Sequence, residues 1–269
     1  MSKDVIIEKF YKKMTSSNFE AYGILDAQNK IHTLGTDSKI IGRIFEMFTQ
    51  QVLEEIAQEE RLILETPEAQ TLYPDFIMME NTNSTNKIAI DVKSTYTENE
   101  QSKIVFTLGS YGSYMRNNTK NIAYKYTDYA KHYVIGYVYQ RNGLAQQSKI
   151  YDYIDREKIQ PPYNHVKYFI QEKYKIAGEK PGSGNTENIG SFHTNNINDL
   201  KNGIGPFNKL GKEVYDIYWK YYPKYRSKNK PYSDIYTFIK WFKKQPKNKI
   251  ELLYNFNYDV ILNKINNYK

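Results

Sequence analysis

The sequence predicts an α/β or α+β protein, a mixed sheet flanked by helices, and three observations carry that prediction. Short segments rich in Val, Ile, Phe and Tyr alternate in hydrophobicity, longer segments carry apolar residues at helical spacing, and nothing recurs at the periods of solenoids or propellers. At 269 residues the chain is long enough for one well-buried core, with room for a small appended part. Hydrophobic residues make up 40% and charged residues 25%, so the mean hydropathy of -0.74 reflects abundant Lys, Asn, Gln and Tyr rather than disorder.

Taken in order, Met1–Met14 alternates charges with Val5, Ile6, Ile7, Phe10 and Tyr11, as an amphipathic helix does. Ala21–Asp26 and Lys30–Leu34 flank Ala27, Gln28 and Asn29 as an early hairpin. In the next helix Asp37 or Ser38 can act as the cap, and Ile41, Ile44, Phe45, Phe48, Val52 and Ile56 recur at helical spacing to about Glu59. Glu46 lies on the flank of that stripe, from which its carboxylate can point along a core edge. Strands are predicted at Arg61–Glu65, Phe76–Met79, Lys87–Thr95 and Ile104–Leu108, a mostly antiparallel meander in which polar Asn81–Asn86 joins the middle pair. His132–Gln140 and Val166–Lys175 add two more.

Charge is concentrated at the C-terminal end. From Lys220 to Lys249 ten Lys and Arg stand against Asp234 alone, a net +9; with +8 for the whole chain, the remainder carries -1. A localised basic stretch interleaved with Tyr221, Tyr222, Tyr225, Tyr232, Tyr236, Phe238, Trp241 and Phe242 suits a polyanion partner, and equally suits a helix with aromatics inward and solvated lysines. Zero cysteines exclude disulfides, thiolate metal sites and a Cys nucleophile, which is compatible with the cytoplasm. Neither a signal peptide nor a membrane anchor is expected, since the chain lacks an uncharged apolar run of about 18 residues.

The chemistry-bearing pattern is Pro74-Asp75, then fifteen residues, then Asp91-Val92-Lys93. Strict alternation in Lys87–Thr95 sends Ile88, Ile90 and Val92 to one face and Ala89, Asp91 and Lys93 to the other. Pairing with the preceding strand then brings Asp75 alongside Asp91. Two converging carboxylates repel unless a cation lies between them, and hard oxygen ligands favour Mg²⁺. Such an ion can polarise a phosphodiester while Lys93 stabilises developing charge. By itself D-x-K is a loose pattern that also occurs in structural ion pairs.

At these residues the sequence resembles the PD-(D/E)xK nuclease superfamily, and within it the type II restriction endonucleases. The resemblance runs collinearly through Leu34–Lys39, Ile44–Phe48, Tyr73–Phe76, Ile88–Lys93, Phe106–Gly109, Arg116–Ile122, Val134–Tyr139 and from Ile176–Gly178 to Gly190–Ser191, covering most of the chain to about Trp241. It implies a five-stranded sheet and a homodimer that cleaves double-stranded DNA with Mg²⁺. Asp75 and Asp91 would be metal ligands, Lys93 the catalytic lysine and Glu46 an auxiliary acidic ligand. Gly182, Ser183, Gly184, Asn185 and Thr186 look like the family's major-groove reading loop; glycines permit close approach and Asn can pair with adenine. That match implies the palindrome GATATC, cut bluntly, its flexible central TA step read through bending. Gln70 corresponds to a minor-groove contact, and Ser38, Lys39, Ser113, Asn118, Lys120 and Arg141 to phosphate-backbone contacts. A protecting DNA methyltransferase is expected in the host, not as a stable subunit.

The organisation expected is one domain over 1–245, with dimerisation elements in 1–60, a catalytic and DNA-binding core in 61–200 and the basic aromatic part in 201–245. Residues 246–269 form an extension whose Leu252, Leu253, Phe256, Val260 and Ile261 suit an amphipathic helix. Glu187 stands where the family has threonine, and Thr71 and Leu72 replace polar neighbours of Gln70. Two other readings are a structure-specific or repair nuclease on the same fold, and a catalytically silent DNA-binding protein.

Overall fold

A computed structural model describes residues 4–145, 147–182, 187–224, 227–248 and 257–268. Helix α1 spans Val5–Met14, and the hairpin β1 (Gly23–Leu25) and β2 (Lys30–Thr33) follows where it was predicted. Helix α2 spans Ser38–Glu60, and the Asp37 carboxylate caps it by accepting from the Lys39 and Ile40 amides. Strands β3 (Ile63–Glu65), β4 (Phe76–Met79) and β5 (Lys87–Thr97) form the antiparallel meander.

There the predicted meander ends. Strand β6 (Thr107–Ser110) leaves this sheet, and the next neighbour of β5 is β7 (Tyr129–Arg141), which runs parallel to it. A parallel neighbour requires a long crossover, which residues 98–128 supply. Strand β8 (Ile150–Asp152) pairs with β2, and β9 (Tyr163–Glu172) pairs antiparallel with β7. The main sheet therefore has five strands in the order β3-β4-β5-β7-β9, with β5 at its centre. The predicted strand Val166–Lys175 ends three residues early, because Lys173–Ile176 turns into the short helix α3. Strands β10 (Ala177–Pro181) and β11 (Asn188–Ser191) join β6 in a second small sheet.

Five helices complete the described chain: α4 (Ile197–Lys201), α5 (Phe207–Leu210), α6 (Lys212–Tyr221), α7 (Ile235–Phe242) and, in the C-terminal extension, α8 (Tyr258–Asn266). Alternation along the strands divides the core by sheet face. Ile41, Phe45, Val52, Leu53 and Ile56 of α2 pack on Phe76, Met78, Ile90 and Val92. On the opposite face, Ile77, Met79 and Ala89 belong to a cluster that includes Phe207, Ile217, Trp219 and Phe238.

The basic C-terminal stretch resolves the question its composition left open. Tyr222, Tyr232, Phe238 and Phe242 are buried, Tyr221 and Trp241 pack against the same core, and Lys240, Lys243 and Lys244 face solvent. Tyr236 is exposed, and Tyr225 lies outside the described residues. Within the extension, Ile261 and Ile265 enter the core and Tyr258 stacks on Phe242, whereas Val260 is half-exposed. Leu252, Leu253 and Phe256 lie outside the described residues. No helix among the described residues is long and apolar enough to cross a membrane.

Candidate active site

The register of β4 with β5 brings the predicted residues together. Phe76 pairs with Ile90, so continuing one residue back sets Asp75 opposite Asp91. Asp75 Oδ2 accepts from the Val92 amide at 2.6 Å, a bond that ties the carboxylate directly to the partner strand. Lys93 Nζ donates to Asp91 Oδ1 at 2.8 Å and to the Val92 carbonyl at 3.0 Å, and lies 3.6 Å from Asp75 Oδ2. One ammonium thus bridges two carboxylates on the sheet face opposite α2.

Burial acts on the two acids differently. Asp91 is 3% exposed, and burial raises its pKa, but Lys93 and then Lys173 outweigh it and hold the group below the usual carboxylate range. Asp75 has weaker compensation: burial pushes it up to about 7 against the pull of Lys93, with the Asp91 charge adding to the rise. The same carboxylates keep Lys93 protonated, their attraction exceeding the opposing effect of burial.

Lys173, at the start of α3, is a member of this site that strand periodicity did not reveal. Its Nζ lies 3.7 Å from Asp91 Oδ2 and 3.9 Å from the centre of the Tyr73 ring, and burial lowers its pKa to about 8. Asp91 Oδ2 itself is buried with no hydrogen-bond donor among the described residues. That orphaned oxygen, which Lys173 approaches only at ion-pair distance, lies beside Asp75, whose raised pKa marks a carboxylate charge that its neighbours do not fully compensate, and a hard divalent cation fits the pair.

Glu46 shares a cleft of about 430 Å³ with Asp75, Lys39 and Gln70. Its carboxylate is engaged by Arg43 Nη1 at 2.6 Å, and among the described residues no group of three His, Asp or Glu converges to hold a metal. The expected backbone contacts fall in different places. Ser38, Lys39, Lys120 and Arg141 are exposed, and the Arg141 guanidinium lies 3.5 Å from the centre of the Tyr96 ring. Ser113 Oγ donates to the Lys120 carbonyl at 2.9 Å, and Asn118 bonds Thr127, so both stitch their own turn. Of the predicted groove-reading loop, Gly182 lies at the end of β10, while Ser183, Gly184, Asn185 and Thr186 lie outside the described residues.

Comparison with known proteins decides what this arrangement belongs to. The family model for the restriction endonuclease EcoRV matches residues 15–243. The chain belongs to the EcoRV restriction endonuclease family. A type II restriction enzyme EcoRV of Escherichia coli is 40% identical over 228 residues, which are 84% of this chain and 92% of that enzyme. Membership makes the protein a site-specific deoxyribonuclease, and its five-stranded mixed sheet with flanking helices agrees with the restriction-endonuclease-like fold. The family match ends at residue 243, before α8, so that helix is outside the matched region.

Proposed function

We propose that this restriction endonuclease hydrolyses double-stranded DNA with Mg²⁺ held by Asp75 and Asp91, cutting the palindrome GATATC bluntly to leave 5′-phosphate and 3′-hydroxyl ends. The observation that carries the chemistry is the Asp75–Lys93–Asp91 bridge with its orphaned Asp91 oxygen. Bound there, Mg²⁺ would supply Lewis-acid charge to the scissile phosphate. Lys93, kept as an ammonium by its two neighbours, donates to the negative charge that builds on the phosphoryl oxygens and orients the attacking water. Its raised pKa suits this role and opposes one as general base. Glu46, across the shared cleft, is proposed as the auxiliary acidic group, which requires it to exchange its Arg43 partner.

Specificity is assigned to Gly182–Thr186 in the major groove and Gln70 in the minor groove. Lys39 shares the Gln70 cleft and is suited to a phosphate; Ser38, Lys120 and Arg141 are exposed for the same role, and Ser113 and Asn118 support it by shaping their turn. A palindrome calls for a two-fold symmetric reader. On the small β1-β2-β8 sheet and the turn after it, Ile24, Leu25, Ile150 and Ile154 are each more than half exposed, an apolar surface that supports a homodimer. The proposed setting is the cytoplasm, with a methyltransferase protecting the host's own sites.

Sequencing the ends of fragments cut from a long defined DNA tests site, cut position and end chemistry together. Blunt ends at the centre of GATATC, made only with a divalent metal, are expected. Staggered ends, or breaks scattered over many sequences, would refute the specificity, and cutting in chelator would refute the metal.

A further inference from the structure

A carboxylate at position 187, next to the loop proposed to enter the groove, would repel the polyanion it approaches. The structure turns that charge inward. Glu187 Oε2 accepts from Arg116 Nη1 at 2.8 Å, and the two side chains are only 26% and 20% exposed. The same guanidinium donates through Nη2 to the Tyr222 carbonyl at 2.5 Å, at the end of α6, and lies 5.1 Å from the centre of the Tyr111 ring. The Glu187 backbone is held as firmly, its carbonyl accepting from the Tyr111 amide at 2.8 Å, the Gly112 amide at 3.2 Å and Ser110 Oγ at 3.1 Å. Glycine at position 112 makes room for this approach, because a Cβ there would lie 2.7 Å from Glu187 Cβ.

The other stem of the loop is fastened to the same helical layer. On β10, the Glu179 carboxylate accepts from the Ile235 amide at 3.0 Å, in the first turn of α7, and the Glu179 carbonyl accepts from Tyr218 Oη of α6 at 2.5 Å. The residues flanking the 183–186 segment are therefore both tied to the C-terminal helices, and at Glu187 the tie to α6 runs through an arginine 71 residues away in sequence.

We infer that Arg116 and Glu187 are positioning residues for sequence discrimination: acting as a unit, they fix the C-terminal foot of the reading loop against α6. The inference rests on the loop assignment made above. Groove readout separates a correct base pair from a wrong one only while donors and acceptors are held in place to within fractions of an ångström. A loop freed at one foot loses its contacts to the correct site and has few to lose at an incorrect one. The penalty then falls on kcat/KM for the cognate duplex and on the ratio of cognate to single-mismatch cleavage.

The test uses the full-length protein and synthetic duplexes carrying its own cleavage site or that site with one base pair changed. Glu187→Ala and Arg116→Met should each lower the discrimination ratio tenfold or more. The double variant should be no worse than either single one, as expected of two groups that act as a unit, and Glu187→Gln, which keeps an acceptor for Arg116, should recover at least threefold over Glu187→Ala. Ratios within twofold of the parent, or losses that multiply in the double variant, would overturn the inference. A fall in melting temperature with an unchanged ratio would also overturn it, by assigning the pair to stability alone. Should Arg116→Met fail to fold, the quarter-exposed Glu187 and its Ala and Gln variants decide the matter. Asn185→Ala is run in parallel: if it leaves site preference intact, the loop assignment fails, whereas loss of preference there with none in Glu187→Ala rejects the positioning role alone.

Discussion

Replacing Asp75 with asparagine should make the metal-free protein more stable at neutral and alkaline pH while abolishing cleavage. The group titrates near 3.8 when unfolded and at about 7 in the folded chain, burial being the main cause. Its folded-state pKa is raised, so the stability it contributes is fully present below pH 3.8 and is lost as pH rises through 7. A shift of about three pH units at 1.36 kcal/mol each corresponds to about 4 kcal/mol. Water reaches the quarter of the side chain that is exposed and screens part of the interaction, leaving about 2 kcal/mol. Asparagine keeps an oxygen to accept from the Val92 amide, now 2.6 Å from Asp75 Oδ2, and never ionises.

Urea unfolding of parent and variant in chelator, from pH 4 to pH 8.5, measures this directly. The difference in unfolding free energy should start near zero, widen in favour of Asp75→Asn up to pH 7 and then level off at about 2 kcal/mol. Added Mg²⁺ should close the gap at pH 8 by stabilising the parent alone, since only the parent has both carboxylates. A difference that does not change with pH, or a parent that is the more stable at pH 8, would refute the argument that the site holds uncompensated negative charge.

Three further outcomes are expected. Lys93→Met should reduce cleavage of supercoiled plasmid by a thousandfold or more, equivalent to about 4 kcal/mol of transition-state stabilisation, with the far-ultraviolet dichroism of a folded protein. Ile154→Asp, at a site 83% exposed in the single chain, should shift the proposed homodimer to monomer in sedimentation with little change in secondary structure. Ending the chain after residue 243 removes Ile261 and Ile265 from the core, the Tyr258–Phe242 stack and the Lys264–Glu213 ion pair, and should lower unfolding free energy by about 2–4 kcal/mol. Cleavage at a temperature where the shortened chain stays folded should persist, because the family match ends at that residue.

What could be read from the sequence was whatever local periodicity encodes. Period-two alternation placed Asp91 and Lys93 on one face of β5, and the short connection to β4 supplied Asp75, so three members of the site followed from a single hairpin. Periodicity is silent about contacts made after the chain has left a sheet and returned. The parallel partner of β5 lies beyond a crossover of some thirty residues. Lys173 sits one residue past β9, where a short helix replaces the strand period and turns the ammonium toward Asp91. The C-terminal aromatics were ambiguous for the same reason, since only the tertiary packing of Tyr222, Tyr232 and Phe238 shows that the ring-rich face is turned into the core.

Glu187 shows most clearly why the remainder required three dimensions. Read along the chain, it is an acid beside a loop expected to meet a polyanion, a departure that weighs against specific binding. In space, Arg116 neutralises it and a glycine makes room for it, and its backbone bonds to the turn that begins at Ser110. A charge that reads as repulsive along the sequence thus becomes one half of an internal ion pair at the foot of the proposed reading loop. The same reasoning separates the basic residues that can contact phosphate from those that cannot: Arg116 is held by Glu187 and the Tyr222 carbonyl, and Lys173 is buried beside Asp91, whereas Lys39 opens onto the cleft that Asp75 lines. Net charge along a sequence overstates the phosphate-facing surface by the number of such internal partners: Arg116 is paired at the foot of the loop proposed to read bases, Lys173 lies beside a carboxylate proposed as a metal ligand, and Lys87 is buried against the Thr82 and Ser84 carbonyls.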